Sequence, residues 1–153
     1  MDQLSDSASR AETKTPRSPS HILVAEDNAA DVFLIREALE CAGVTADIHV
    51  VSDGVAALGF LESADGSDDT PFPCLLILDI NLPKKSGDEV LLFIRQDSKC
   101  RHMLVLIVST SGSIDDRTKM KELGCSGYFI KPSEYVDFMK LGALVNEMLA
   151  SRF

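Results

Sequence analysis

No two of the four cysteines stand close together: Cys41, Cys74, Cys100 and Cys125 are isolated, and no C-x-x-C pair occurs. That spacing argues against a disulfide framework or a thiolate zinc site and for reduced thiols. The three histidines, His21, His49 and His102, are equally scattered, so the sequence shows no histidine-based metal cluster. No apolar run approaches the ~20 residues of a membrane span. The N-terminus, with an acid at position 2 and no apolar segment, is not a secretory signal. These absences lead to the expectation of a cytoplasmic protein that does not engage a membrane. A basic face is also missing. The formal net charge is −9, which argues against direct binding of nucleic acid and leaves room for a cation site built from carboxylates.

What is present suits one globular domain: 153 residues, 45% apolar and 25% charged. Residues 1–20 are rich in Ser, Thr and Pro and poor in aliphatics, and are expected to be a flexible tail. From residue 21 to 153 the chain alternates short aliphatic runs with amphipathic stretches. HILVA precedes a helix capped by Asn28 and closed by Gly43, and ADIHVV precedes one capped by Asp53. LLIL is followed by the turn NLPKKSG and the helix GDEVLLFIRQ. MLVLIVS comes before a polar-faced helix ended by Gly124, and GYFI before one long final helix capped by Ser133. Runs that are aliphatic on both faces belong in a parallel sheet covered by helices on both sides. Five such units predict a doubly wound α/β fold, (βα)5 and flavodoxin-like, with strand order 2-1-3-4-5.

In such sheets ligands bind beyond the carboxyl ends of the strands. The residues that follow each run are therefore diagnostic: Glu26 and Asp27 after the first, Asp79 after the third, Ser109 after the fourth and Lys131 after the fifth. Taken singly, each has a plain structural reading as a cap, a turn former or a solvated lysine. Taken together they deliver carboxylates, a hydroxyl and an ammonium to one rim. A carboxylate cluster there is unstable by mutual repulsion unless a cation offsets it. Oxygen-only ligands select a hard cation, and Mg2+ is the expected one. A carboxylate can also act as a nucleophile and form an aspartyl phosphate, with the lysine and hydroxyl holding the phosphoryl oxygens.

ILVAEDN, LLILDINLPKKSG, VLIVSTS and GYFIKP, in this order, resemble the receiver domain of two-component response regulators. Asp79 to Ser109 spans 30 positions and Ser109 to Lys131 spans 22, as in that family. EDNAADVFLIREAL and DINLPKKSGDEVL look most like the stand-alone regulators paired with phytochrome-type sensor kinases. The resemblance implies Asp79 as phosphoacceptor, with Glu26, Asp27, Asp79 and the backbone carbonyl of Asn81 around Mg2+. It further implies Ser109 as switch hydroxyl, Lys131 as phosphate-binding lysine, Tyr128 as switch aromatic, and a cis Lys131–Pro132 peptide. Ser109 stands where threonine is commoner, and the loop from Ala64 to Pro73 is long and acidic. The implied protein is no enzyme beyond its own phosphorylation and dephosphorylation, and its partner is a sensor histidine kinase. With no output domain after residue 153, it is expected to signal by partner binding, by relaying phosphate, or by a homodimer through the fourth helix, fifth strand and last helix. Two other readings fit less well. An aspartyl-nucleophile phosphatase would want a second acid at Asn81, and a flavin domain would want a phosphate loop that Glu26 and Asp27 repel.

Overall fold

The computed structural model describes residues 20–151; of the expected tail, residues 1–20, all but Ser20 lie outside them, and Ser20 is the first residue of the first strand. Five parallel strands form one sheet in the order β2-β1-β3-β4-β5. They are β1 (Ser20–Ala25), β2 (Ala46–Val51), β3 (Leu75–Leu78), β4 (Leu104–Ser109) and β5 (Gly127–Ile130). The helices are α1 (Ala29–Cys41), α2 (Gly54–Ser63), α3 (Gly87–Gln96), α4 (Ile114–Glu122), α5 (Tyr135–Phe138) and α6 (Lys140–Ser151). This is the architecture that the alternation of runs predicts. No helix among the described residues is long and apolar enough to cross a membrane.

The period-2 alternation of each strand divides its side chains between two cores. Leu23, Ala25, Leu76, Leu78, Val105 and Ile107 face α2, α3 and Met120 of α4. Ile22, Val24, Leu75, Ile77, Leu106 and Val108 face α1, Phe138 of α5, and α6. Register carries the rim into line: Ala25 pairs with Leu78, Leu78 with Ile107, and Ser109 with Ile130. The polar residues that follow are therefore neighbours in space.

The caps at Asn28 and Asp53 form as expected, each side chain accepting a backbone N–H of its helix. The end of the chain departs from expectation. The continuous helix from Ser133 is two helices meeting at Met139, and the residue before the first is Glu134, which makes no side-chain cap. Phe138 and Leu141 both enter the core, and Gly142 lets α6 meet α1 so closely that a Cβ there would lie 2.1 Å from the Ala38 carbonyl oxygen. The scattered histidines depart too: parallel pairing of β1 with β2 brings His21 Nδ1 to 3.0 Å from His49 Nε2.

Candidate functional site: a carboxylate rim with one lysine

Asp79 leaves β3 with its N–H still bonded to the Ala25 carbonyl (3.1 Å), so its position is an extension of the β1–β3 ladder. The chain then turns back on itself. Gly87 N–H donates to the Ile80 carbonyl at 2.7 Å. A Cβ on Gly87 would sit 2.5 Å from the Asp79 carbonyl oxygen, so only glycine lets α3 begin against the acid. Gly54 admits the same loop from the other side: its N–H donates to the Pro83 carbonyl (3.2 Å), and a Cβ there would meet Lys85 backbone at 2.0 Å. Lys84 takes the left-handed conformation (φ 69°) between them. Two glycines on two elements thus hold the NLPKKSG turn away from the carboxylate face of Asp79.

Across the rim, Glu26, Asp27 and Asp79 each offer an oxygen within 4.8 Å of the others. Glu26 is 2% exposed and Asp79 8%, whereas Asp27 faces solvent. Lys131 arrives from β5, its N–H bonded to the Ser109 carbonyl at 2.7 Å. Its Nζ lies 2.7 Å from Glu26 Oε1, 2.8 Å from Asp31 Oδ2 and 3.6 Å from Asp79 Oδ2. The Lys131–Pro132 peptide, where the family resemblance implied a cis bond, is trans, as no cis bond occurs among the described residues.

Ser109 is fully buried at the end of β4. Its Oγ accepts the Ser111 N–H at 3.2 Å, which leaves its own proton to donate. Tyr128 does not join the acid cluster: its hydroxyl donates to the Ser111 carbonyl at 2.8 Å, and Arg117 of α4 lies 5.5 Å from the ring centre. Asn81 is exposed, and its N–H reaches Asp79 Oδ1 at 3.4 Å.

Asp31 is the residue that sequence reasoning missed. It sits in the first turn of α1, its N–H held by the Asn28 cap at 3.0 Å. The one-turn spacing from Asp27 to Asp31 was the signal available, but an acid in a helix's first turn is common and does not by itself mark a site.

Glu26, Asp31 and Asp79 thus gather around one ammonium, and Asp27 offers an oxygen within 4.8 Å of Glu26 and Asp79. The electrostatics follow. Burial pushes the Glu26 carboxyl up to about 7, with the charge of Asp79 adding to the rise and the Lys131 bond opposing it. Burial alone would lower Lys131, but hydrogen bonds to Asp31 and Glu26 and the charge of Asp79 outweigh it, and the net direction is upward. The ammonium stays charged. The rim is short of positive charge, and its all-oxygen donors fit a hard divalent cation such as Mg2+.

A pH dependence comes with this geometry. Glu26 holds its proton more tightly folded, near 7, than unfolded, near 4.5. The stability this confers is fully present below ~4.5 and is lost as pH rises through ~7. With chelator present, urea denaturation is expected to show stability falling by up to ~3 kcal/mol between pH 5 and pH 8. Added Mg2+ restores it at the alkaline end, and Glu26→Gln flattens the profile. A profile that is flat in the parent would contradict this account of the rim.

An open parallel sheet that presents carboxylates and a lysine beyond its strand ends defines an α/β module suited to a divalent cation and a phosphoryl group. More specifically, the chain belongs to the response regulator receiver domain family, whose model matches residues 22–141, and is thereby a response regulator of the two-component type. Response regulator Rcp1 of Synechocystis sp. is 35% identical over 123 residues, covering 80% of this chain and 84% of that protein. The solved structure of phosphorylated cyanobacterial phytochrome response regulator RcpA superposes with a TM-score of 0.78 at 32% identity, over 89% of this chain and 97% of that one. The Mn2+-bound form of Rcp1 superposes with a TM-score of 0.74 at 34% identity, over 83% of this chain and 91% of that one.

Proposed function

We propose that the protein accepts a phosphoryl group on Asp79 from a phosphohistidine of a sensor kinase, of the phytochrome-associated kind, and signals through the resulting change of shape. The observation that supports this most directly is the convergence of Glu26, Asp27 and Asp79 within 4.8 Å, with Lys131 3.6 Å from Asp79. An Asp79 carboxylate oxygen forms the new P–O bond, the N–P bond to the kinase imidazole breaks, and the histidine leaves after taking a proton. Glu26, Asp27, Asp79 and the Asn81 carbonyl are the groups that would hold Mg2+. When bound, that ion neutralises charge shared between the carboxylates and the phosphoryl oxygens.

The protein's own groups do the rest. Lys131 exchanges a carboxylate contact for a phosphoryl oxygen. Ser109 turns its free proton toward another, and the Ser111 N–H that it now accepts moves with it. Because the Ser111 carbonyl holds the Tyr128 hydroxyl (2.8 Å) and its Oγ bonds Asp116 of α4, one displacement reaches both the aromatic ring and the helix. The affected face also carries exposed Ile114 and half-exposed Ile130, at 80% and 39%. We place partner binding there, or a homodimer built from α4, β5 and the last two helices.

Incubation with acetyl phosphate tests the reading. Label is expected on Asp79 with Mg2+ present and to disappear with chelator, and size-exclusion of the labelled sample reports any dimer. Label that persists with chelator would contradict the metal role of the acids. The same activity separates this reading from a phosphomonoesterase, which would release phosphate continuously from a generic substrate. A relay intermediate would pass its label to a second histidine-containing protein.

A further inference from the structure

The histidine pair lies apart from the rim, at the opposite end of β1. His21 is the second residue of β1 and Glu26 follows its end, so these two residues are ~16 Å apart along the strand. In the β1–β2 register His21 stands opposite Asp47, and Leu23 opposite His49. The period of 2 then places His21, His49 and Asp47 on one face of the sheet, the face Leu23 shares. His21 Nδ1 is 3.0 Å from His49 Nε2 and 4.0 Å from Asp47 Oδ2. The Phe60 ring of α2 packs against His49 at 5.3 Å between centroids, which limits where that ring can turn.

We propose that His21, His49 and Asp47 form a binding site for a borderline divalent ion, Zn2+ in the first place. A single shared proton holds the two nitrogens together without it, since each imidazole has one donor and one acceptor. An ion that takes the place of that proton needs both lone pairs, and the structure lies close to what it needs. Two imidazoles on a tetrahedral Zn2+ hold their nitrogens about 3.3 Å apart and their ring centroids about 5.2 Å apart. The nitrogens stand 3.0 Å apart in a head-on hydrogen bond, which by itself sets the centroid separation of 5.2 Å, so it is the nitrogen spacing that bears on the ion. To serve one ion each ring has to turn so that its lone pair leaves the other nitrogen and points at a common centre, while the nitrogens open by about 0.3 Å.

Asp47, whose side chain is 61% exposed, can rotate to supply the third donor, and water the fourth. The ligand chemistry keeps the two sites separate. Nitrogen donors favour Zn2+ over Mg2+, and the all-oxygen rim favours the hard ion. Nothing in this site depends on phosphorylation of Asp79.

Titration of the full-length chain with ZnCl2, in excess Mg2+ and with its thiols kept reduced, tests the site by calorimetry and by NMR of the histidine rings. One Zn2+ per chain is expected, with the ring signals of both His21 and His49 shifting. His21→Gln and His49→Gln should each weaken binding by about a hundredfold, and Asp47→Asn by about tenfold. Asp27→Asn and Cys41→Ser should bind Zn2+ like the parent. Binding that is lost with Asp27 or Cys41, or that survives both glutamine variants, overturns the proposal. Should a glutamine variant unfold, the parent rings decide alone: unshifted His21 and His49 signals under saturating Zn2+ overturn it as well.

Discussion

Asp79→Asn is expected to abolish labelling by acetyl phosphate while leaving the fold intact. The substitution keeps the size of the side chain and removes the carboxylate that stands within 4.8 Å of both Glu26 and Asp27 and 3.6 Å from Lys131. Asn81 cannot replace it, because its side chain is an exposed amide with no carboxylate oxygen to act as nucleophile. The fold should survive because Asp79 is anchored by backbone: its N–H bonds Ala25, and Gly87 abuts its carbonyl. Stability in chelator should even rise, since one carboxylate leaves a cluster that has too few cations. Mass spectrometry of the intact variant after exposure to acetyl phosphate and Mg2+ checks the first statement, and urea denaturation the second. Labelling that survives would move the phosphoacceptor to another carboxylate.

Which parts of this site were legible in the sequence follows from how each residue is placed. Glu26, Asp79, Ser109 and Lys131 each follow directly on an aliphatic run, and parallel register converts equal positions along different strands into proximity. No distance was needed to expect them together. Asp31 is placed by a helix instead. Its partner Lys131 lies 100 positions away, and the contact depends on the angle at which α1 leaves β1, which no local pattern encodes.

The His21–His49 contact, across 28 positions, hid for a related reason. Only the offset that pairs Leu23 with His49 brings the two rings together, and a slip of one residue would send His49 to the other face. The break at Met139 was invisible because the apolar pattern of the last segment runs on without a Pro or a cap. At the break Met139 stays in the right-handed helical region (φ −63°, ψ −18°), and the Gly142 N–H bonds the Met139 carbonyl three residues back at 3.2 Å, so the helix tightens for one turn. Tyr128 was implied by the resemblance that GYFIKP carries, but its bond to Ser111 belongs to the loop geometry after β4.

Lys131→Met carries the second large effect, and it acts on stability and chemistry at once. Methionine matches the length of the lysine stem and removes the ammonium, whose side chain is 7% exposed and bonded to Glu26 and Asp31. Glu26 is then a buried carboxylate facing Asp79 with no cation between them. Removing one partner of a buried pair costs about 3–5 kcal/mol, and that loss is expected in chelator. Mg2+ should recover part of it by serving Glu26 and Asp79, but not the share that belongs to Asp31, which is not among the three acids whose oxygens converge. The double variant Lys131→Met/Asp31→Asn should therefore regain stability over the single one, since it strands one charge fewer.

Labelling should slow by about a hundredfold or more even at saturating Mg2+, because a fixed positive charge at the phosphoryl oxygen has gone. Asp31→Asn alone should leave labelling measurable, with Lys131 still held by Glu26. A Lys131→Met protein that is as stable as the parent in chelator, and labels at the parental rate, would remove the ammonium from the mechanism. It would leave the acids at the strand ends without the counter-charge that makes their gathering tolerable.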